Sequence, residues 1–273
     1  MQLLDAQVHE FREIVWEYYR NNGRSGLPWR LPDASGSFDP YKIMVSELML
    51  QQTQVARVIP KYETFVAQFP DVASLAVASL GDVLRAWQGL GYNRRAKFLW
   101  QAAQAVNERG KFPDTLEDLV ALPGVGKNTA GAILAYAYDQ PVVFIETNVR
   151  TVYIHHFLAD ATDVHDKEII ALAEQTADRE NPREWYWALM DYGSYLKLTV
   201  GNASRASKHF TKQSTFHGSR RQIRGQVIRL LGACSYPMTD LQAAINDERL
   251  VAVLQELTHE GLVVENGGVY SLD

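Results

Sequence analysis

A chain of 273 residues, 47% apolar and 22% charged, has room for about two globular domains and is too apolar to be disordered. No stretch approaches the ~18 uninterrupted apolar residues of a spanning helix, and Met1-Gln2-Leu3-Leu4-Asp5 does not open a signal peptide, so a cytoplasmic chain without membrane contact is expected. The single cysteine, Cys234, excludes an intrachain disulfide, a Cys-rich zinc site and an all-Cys iron–sulfur cluster.

The formal charge of −5 is spread unevenly. No Asp or Glu occurs between Tyr192 and Thr239, a stretch that holds Lys197, Arg205, Lys208, Lys212, Arg220, Arg221, Arg224 and Arg229. That leaves 19 of the 27 basic residues to balance all 32 acids in the rest of the chain. A basic block of this length reads either as a contact for a polyanion or as a solvated linker.

Helical periodicity runs from Asp5 onward, with turns expected at Asn22-Gly23, Leu31 to Pro40, Pro60, Pro70, Gly89 to Gly91, Pro113 and Pro123-Gly124. Ten or so short helices with brief loops predict an all-α protein. The pattern breaks between Ala203 and Ser219 into a connector. Helices are then expected from about Arg220 to Ala233, near Thr239, and from about Asp247 to His259. The closing segment, Leu262 to Leu272 around Asn266-Gly267, reads as a hairpin with a two-residue turn, and the whole as a winged helix. Its last helix carries Asp247, Glu248, Glu256 and Glu260 against Arg249, a poor match to phosphate. That domain is therefore expected to pack on the core or to meet a protein.

Three motifs carry chemistry. In Leu122-Pro123-Gly124-Val125-Gly126-Lys127-Asn128-Thr129-Ala130-Gly131, a tight turn runs into an apolar helix ending at Tyr138. Glycines allow close backbone approach, and amides at a helix start attract anions, so Gly124, Gly126, Lys127, Asn128 and Thr129 read as a phosphate clamp. Ordinary turn chemistry is the plainer alternative. In Ser46-Glu47-Leu48-Met49-Leu50-Gln51-Gln52-Thr53-Gln54, the spacing of Glu47, Gln51 and Gln54 predicts one helix face amid apolar flanks. A carboxyl group so flanked is desolvated and suited to donate a proton; an exposed polar stripe is the alternative. The apolar run Val142 to Ile145 delivers Glu146 to the start of a new helix, which favours its ionised form, although the same acid could be a first-turn helix charge alone. One protonated and one charged carboxyl group divide the labour of breaking a glycosidic bond.

These residues, with Trp29-Arg30, Gly89-Leu90-Gly91-Tyr92 and Asn148-Val149-Arg150, occur in the order and rough spacing of the MutY adenine DNA glycosylases. The chain resembles that family, within the helix-hairpin-helix superfamily that includes endonuclease III, over about residues 10–195. The resemblance implies two helical lobes, residues 1–30 with 141–202 and residues 31–140; the connector at 203–219 and the winged helix at 220–273, read from the residue pattern, follow them. It implies a monomeric base-excision enzyme acting on duplex DNA that contains a mispaired or damaged base. Glu47 then matches the acid that protonates the flipped adenine, and Glu146 the carboxylate that steadies the sugar cation. Arg30 and Asn148 match polar groups lining the active site, and Gln52 and Tyr92 match residues that fill the gap left in the duplex.

Four departures qualify the resemblance. The family's catalytic Asp is Glu146 here, one methylene longer. Asn128 stands where bifunctional relatives place a lysine, so little or no lyase activity is expected. The positions of the family's iron–sulfur ligands fall on Lys197, Ser204, Ser207 and Gln213, so neither a metal nor another cofactor is expected, while Lys197, Arg205, Lys208 and Lys212 keep the basic DNA-facing loop. Finally, about 55 residues of winged-helix type stand where the family carries a longer C-terminal domain that senses 8-oxoguanine. A glycosylase for another altered base and a non-catalytic DNA-binding protein are the competing readings.

Overall fold

The computed structural model describes residues 1–212 and 215–273. Gln213, one of the expected cluster-ligand positions, lies outside the described residues. In chain order the helices are α1 (Asp5–Asn22), α2 (Pro40–Leu50), α3 (Val55–Gln68), α4 (Val72–Val77), α5 (Leu80–Ala86), α6 (Arg94–Arg109) and α7 (Leu116–Val120). There follow α8 (Lys127–Tyr138), α9 (Thr147–Phe157), α10 (Asp166–Thr176), α11 (Pro182–Thr199), α12 (Arg220–Ala233), α13 (Met238–Ala244) and α14 (Leu250–His259). The strands are β1 (Tyr236–Pro237), β2 (Val264–Asn266) and β3 (Val269–Ser271). No described helix is long and apolar enough to cross a membrane.

The chain forms two compact units. One comprises Met1–Ile43, Asp114–Val120 and Val125–Lys212; the other comprises Met44–Pro113, Ala121–Gly124 and Gln213–Asp273. In the first, Phe11 of α1 packs its ring against Tyr153 of α9 and Trp185 of α11, all three buried. Helices α9 and α11 meet so closely that a Cβ on Gly193 would lie 2.4 Å from the Asn148 carbonyl oxygen, which only glycine permits.

In the second unit, α6 buries Leu99, Ala102, Ala103 and Val106 on one face, a helical stripe that also includes Arg95. Pro60, expected at a turn, lies inside α3. Its missing N–H removes one helical bond, and the Thr64 hydroxyl donates to the Pro60 carbonyl from the next turn. The C-terminal elements follow the order α12, β1, α13, α14, β2, β3, with β3 central in an antiparallel sheet, which is the winged-helix arrangement. The turn of its hairpin falls on Gly267-Gly268, at φ 59° and 84°, one residue beyond the expected Asn266-Gly267. Both positions need the left-handed conformation, which glycine adopts without steric cost. This element docks on α5 and α6: Arg85 donates to the Gly232 carbonyl and to the Asp273 carboxylate, and Lys97 donates to the Glu260 carbonyl.

Candidate active site

Within the first unit, the apolar segment before α9 is held from three directions. The Phe144 amide donates to the Tyr186 hydroxyl at 3.0 Å, and the two rings stack with centroids 3.9 Å apart. Gly131 of α8 lets Phe144 approach, since a Cβ there would meet the Phe144 Cβ at 2.7 Å. The Asn128 amide brackets Ile145, donating to its carbonyl at 2.8 Å and accepting from its N–H at 3.3 Å. Asn128, expected to face DNA, is exposed at the start of α8, and its side chain also positions the backbone that presents Glu146, because an amide carries both a donor and an acceptor for the two backbone groups of one residue.

Glu146 occupies the N-cap position of α9 in an extended conformation, and its side chain makes no cap hydrogen bond. The helix start was expected to hold this carboxyl group ionised. Burial dominates and raises its pKa, while Lys197 and Arg150 pull it down. Lys197 lies on the last turn of α11, and its Nζ donates to Asn148 Oδ1 at 2.7 Å. Burial lowers the Lys197 ammonium to about 8, against the opposing pull of Glu146. Lys197 is therefore turned inward onto Asn148 within electrostatic reach of Glu146, not presented on the basic loop. Asn148 also donates to the Met190 sulfur at 3.7 Å, and Arg150 is fixed by a two-pronged pair with Asp166 at 2.7 Å.

Arg30 is buried, stacked 5.3 Å from the Trp187 ring centroid and doubly bonded to Asp191 at 2.8 and 2.9 Å. Arg24 grips the same carboxylate through its backbone N–H and guanidinium. Burial pushes Asp191 up, but the two guanidinium groups prevail and hold it below the usual carboxylate range. The structure thus engages Arg30 in a buried ion pair that ties the Pro28–Arg30 turn to α11.

In the second unit, Glu47 is half-buried on α2, among the buried Met44, Val45, Leu48 and Met49. The expected face of Glu47, Gln51 and Gln54 does not form: α2 stops at Leu50, and Gln54 is the N-cap of α3. The stop is set by Arg95 of α6. Its guanidinium donates to the carbonyls of Leu48 (2.8 Å), Met49 (3.1 Å) and Gln51, and also to those of Leu90 and Gly91. One buried cation thereby joins the end of α2 to the Gly89–Tyr92 loop. Sequence reasoning missed Arg95; its signal is a charged residue in phase with the apolar stripe of α6. Gln52 and Tyr92, on the two joined turns, adopt left-handed φ values of 55° and 49°. Gln52 is exposed, and Tyr92 is half-buried.

The hairpin turn has Gly124 at φ 76°, where a Cβ would lie 2.5 Å from Phe98 Cβ. Gly126 caps α8, whose first intrahelical bond runs from the Ala130 amide to the Gly126 carbonyl. Lys127 is exposed and Thr129 half-buried at this helix start. Arg205, Lys208 and Lys212 are exposed beyond α11.

Residues 45–178 match the HhH-GPD superfamily of base excision DNA repair proteins. Adenine DNA glycosylase of Mycobacterium tuberculosis (strain ATCC 25618 / H37Rv) is 36% identical over 252 residues, covering 83% of this chain and 79% of that protein. Adenine DNA glycosylase of Buchnera aphidicola subsp. Baizongia pistaciae is 33% identical over 194 residues, covering 69% of this chain; the match spans about half of that relative, 53%. The fold is similar to that of a thermostable thymine-DNA glycosylase, with a TM-score of 0.60 at 23% identity, covering 70% of this chain and 87% of that one. The chain belongs to the adenine DNA glycosylase family of the HhH-GPD superfamily.

The family's iron–sulfur cluster does not fit the residues found here. Lys197 is bonded to Asn148, and the buried Ser204 hydroxyl donates to Asn202 Oδ1 at 2.6 Å. Ser207 is buried beside Val164, where the Val164 amide donates to the Ala206 carbonyl and the Lys208 amide to the Val164 carbonyl. None of the three offers a thiolate, and backbone hydrogen bonds order this loop.

Proposed function

We propose that this chain is a monofunctional DNA glycosylase that hydrolyses the N-glycosidic bond of a mispaired adenine, opposite guanine or 8-oxoguanine, in duplex DNA. The observation that carries this reading is the arrangement at the start of α9, where Glu146 is desolvated next to the inward-turned Lys197 ammonium and beside Asn148. A carboxylate with a nearby cation, in a place poor in water, can stabilise an oxocarbenium-like sugar more strongly than it could in bulk solvent.

Glu47 is assigned the general acid that protonates the departing adenine, turning it into a leaving group. Glu146 is assigned the charge stabiliser, and water adds to the sugar. Asn128 supports the monofunctional reading: it occupies the position of the lysine nucleophile in bifunctional relatives and spends both ends of its amide on Ile145. Asn148 and Lys197 are assigned to position Glu146, and Arg30 to hold the surrounding wall through Asp191. The hairpin from Gly124 to Thr129, with exposed Lys127, Arg205, Lys208 and Lys212, is assigned to the phosphates, and Gln52 and Tyr92 to the gap left by the flipped base.

Single-turnover excision on a duplex panel tests this reading. Adenine opposite guanine and opposite 8-oxoguanine is expected to be excised, leaving an abasic strand that breaks only after alkali. Excision confined to uracil or thymine opposite guanine would favour a changed base pocket, for which the longer Glu146 is the motivating feature.

A further inference from the structure

Within the first unit, the chain beyond α11 makes a turn whose successive amides are all engaged. The Ser207 N–H donates to the Ser204 carbonyl at 3.1 Å, and the Lys208 N–H to the Val164 carbonyl at 3.0 Å. The His209 N–H donates to Ser207 Oγ at 3.1 Å, and the Phe210 N–H to the Ser207 carbonyl at 3.0 Å. Ser207 is itself buried, so the turn is anchored in the body of the unit.

The His209 ring meets that of His165, the residue capping α10, edge to face with centroids 6.5 Å apart. Phe210, the next residue, is 41% exposed. An aromatic ring ordinarily leaves water on folding, yet here a fully hydrogen-bonded backbone keeps one in it. Arg205, Lys208 and Lys212 are exposed on either side of Phe210 in the chain, within a stretch that has no Asp or Glu between Tyr192 and Thr239. Asp166, the carboxylate within electrostatic reach of His209, is already held by Arg150 at 2.7 Å. An apolar ring set among cations suits a polyanion that carries aromatic faces of its own.

We propose that Phe210 is a wedge that enters duplex DNA between neighbouring base pairs while Arg205 and Lys208 hold the flanking phosphates. The proposal rests on the DNA-directed reading above and adds to it a contact with base faces, which the basic side chains alone do not make. A phenyl ring inserted at a base step stacks on the faces it uncovers and bends the duplex. Every base offers such a face, so the contact tightens binding without reading sequence. The bonded turn supplies what a wedge needs: a side chain held out in advance, with little ordering left to do on binding. Phe210 belongs to the first unit, whereas Gln52 and Tyr92 belong to the second, so the wedge is a separate contact from the pair assigned to the gap.

Binding over a range of salt concentrations separates the ring from the charges. Affinities for a duplex with a tetrahydrofuran abasic analogue opposite guanine are measured for the unmodified chain, Phe210→Ala, Phe210→Trp and Lys208→Ala. Phe210→Ala is expected to bind about tenfold more weakly at every salt concentration, with the slope of log affinity against log salt unchanged, because stacking releases no counterions. Lys208→Ala is expected to flatten that slope by about one unit. Phe210→Trp, which keeps an aromatic face, is expected to bind within about twofold of the unmodified chain. With 2-aminopurine placed in turn at the base pairs around the analogue, the unmodified chain is expected to change the fluorescence at one step, and Phe210→Ala to lose that change. Unweakened binding by Phe210→Ala, an equal loss in Phe210→Trp, a flattened slope in Phe210→Ala, or a fluorescence change that survives it would each overturn the proposal. The duplex cannot be cleaved at the analogue, so these results stand whether or not the chain excises adenine, which the duplex panel reports separately.

Discussion

Lys197 Nζ donates to Asn148 Oδ1 across 2.7 Å, joining the last turn of α11 to the first turn of α9 beside Glu146. Removing the ammonium as Lys197→Met leaves the Glu146 carboxyl with burial pushing its pKa up and one opposing cation fewer. Its pKa rises, so a reaction that needs the carboxylate requires higher pH. The acid limb of the single-turnover pH–rate profile is expected to move upward, with a loss of about tenfold or more at neutral pH. An unmoved acid limb would remove Lys197 from the account. The stability effect has the opposite window: with Lys197 at about 8 when folded against 10.5 ordinarily, the unfolded chain binds more protons between those values. The penalty is complete below about 8 and is relieved as pH rises toward 10.5, and Lys197→Met should lack that rise in urea titrations.

Arg95 is expected to be irreplaceable. It is buried and serves five carbonyl groups from two stretches of chain, so Arg95→Ala leaves several without donors. A loss of about 3 kcal/mol or more in urea denaturation is expected. Arg95→Lys should recover little, because an ammonium cannot fork between the end of α2 and the Gly89–Tyr92 loop. A near-neutral Arg95→Lys would contradict the reading of this guanidinium as the joint between the two turns.

Much of the framework follows from local signals. The helix from Arg220 to Ala233 and the start of α8 at Gly126-Lys127 are set by residues adjacent in sequence, and a reader of the sequence can place them. The stop of α2 is different: no breaker follows Leu50, and the group that ends the helix, Arg95, stands 46 residues beyond Met49. Lys197 misleads for a similar reason. A lysine in a basic stretch at a helix end reads as solvent-facing, and only the packing of α11 on α9 at Gly193 shows that it reaches Asn148. For Glu146 the sequence shows the helix start but not the burial, and burial decides the sign of its shift.

Lys127 and Lys212 are exposed bases assigned to phosphate. Lys127→Ala with Lys212→Ala is expected to weaken binding to damaged and undamaged duplex equally, and to flatten the slope of log affinity against log salt by about two units in all. A selective loss on damaged duplex would show that these lysines read the lesion.

Glu146→Asp separates structure from chemistry. Glu146 is an N-cap without a cap hydrogen bond, whereas Asp is among the favoured caps, so thermal denaturation is expected to show a gain of about 0.5–1 kcal/mol. The Asn128 bracket holds the backbone, so the shorter carboxylate shifts by about an ångström only, and excision is expected to stay within tenfold of the unmodified rate. A larger fall would mean that the segment before α9 is set for the longer side chain.

The central claim is that Glu47 transfers a proton to the leaving adenine. Single-turnover excision by Glu47→Gln, on a duplex with adenine opposite guanine and with binding measured on the same duplex, tests it most directly. The amide keeps the shape of the side chain and can donate a hydrogen bond, but it has no acidic proton to give. Affinity is expected to stay within about threefold, while excision falls by at least ~10²–10⁴-fold, the usual worth of a positioned general acid. Excision by Glu47→Gln at the unmodified rate, with binding intact, would contradict the account.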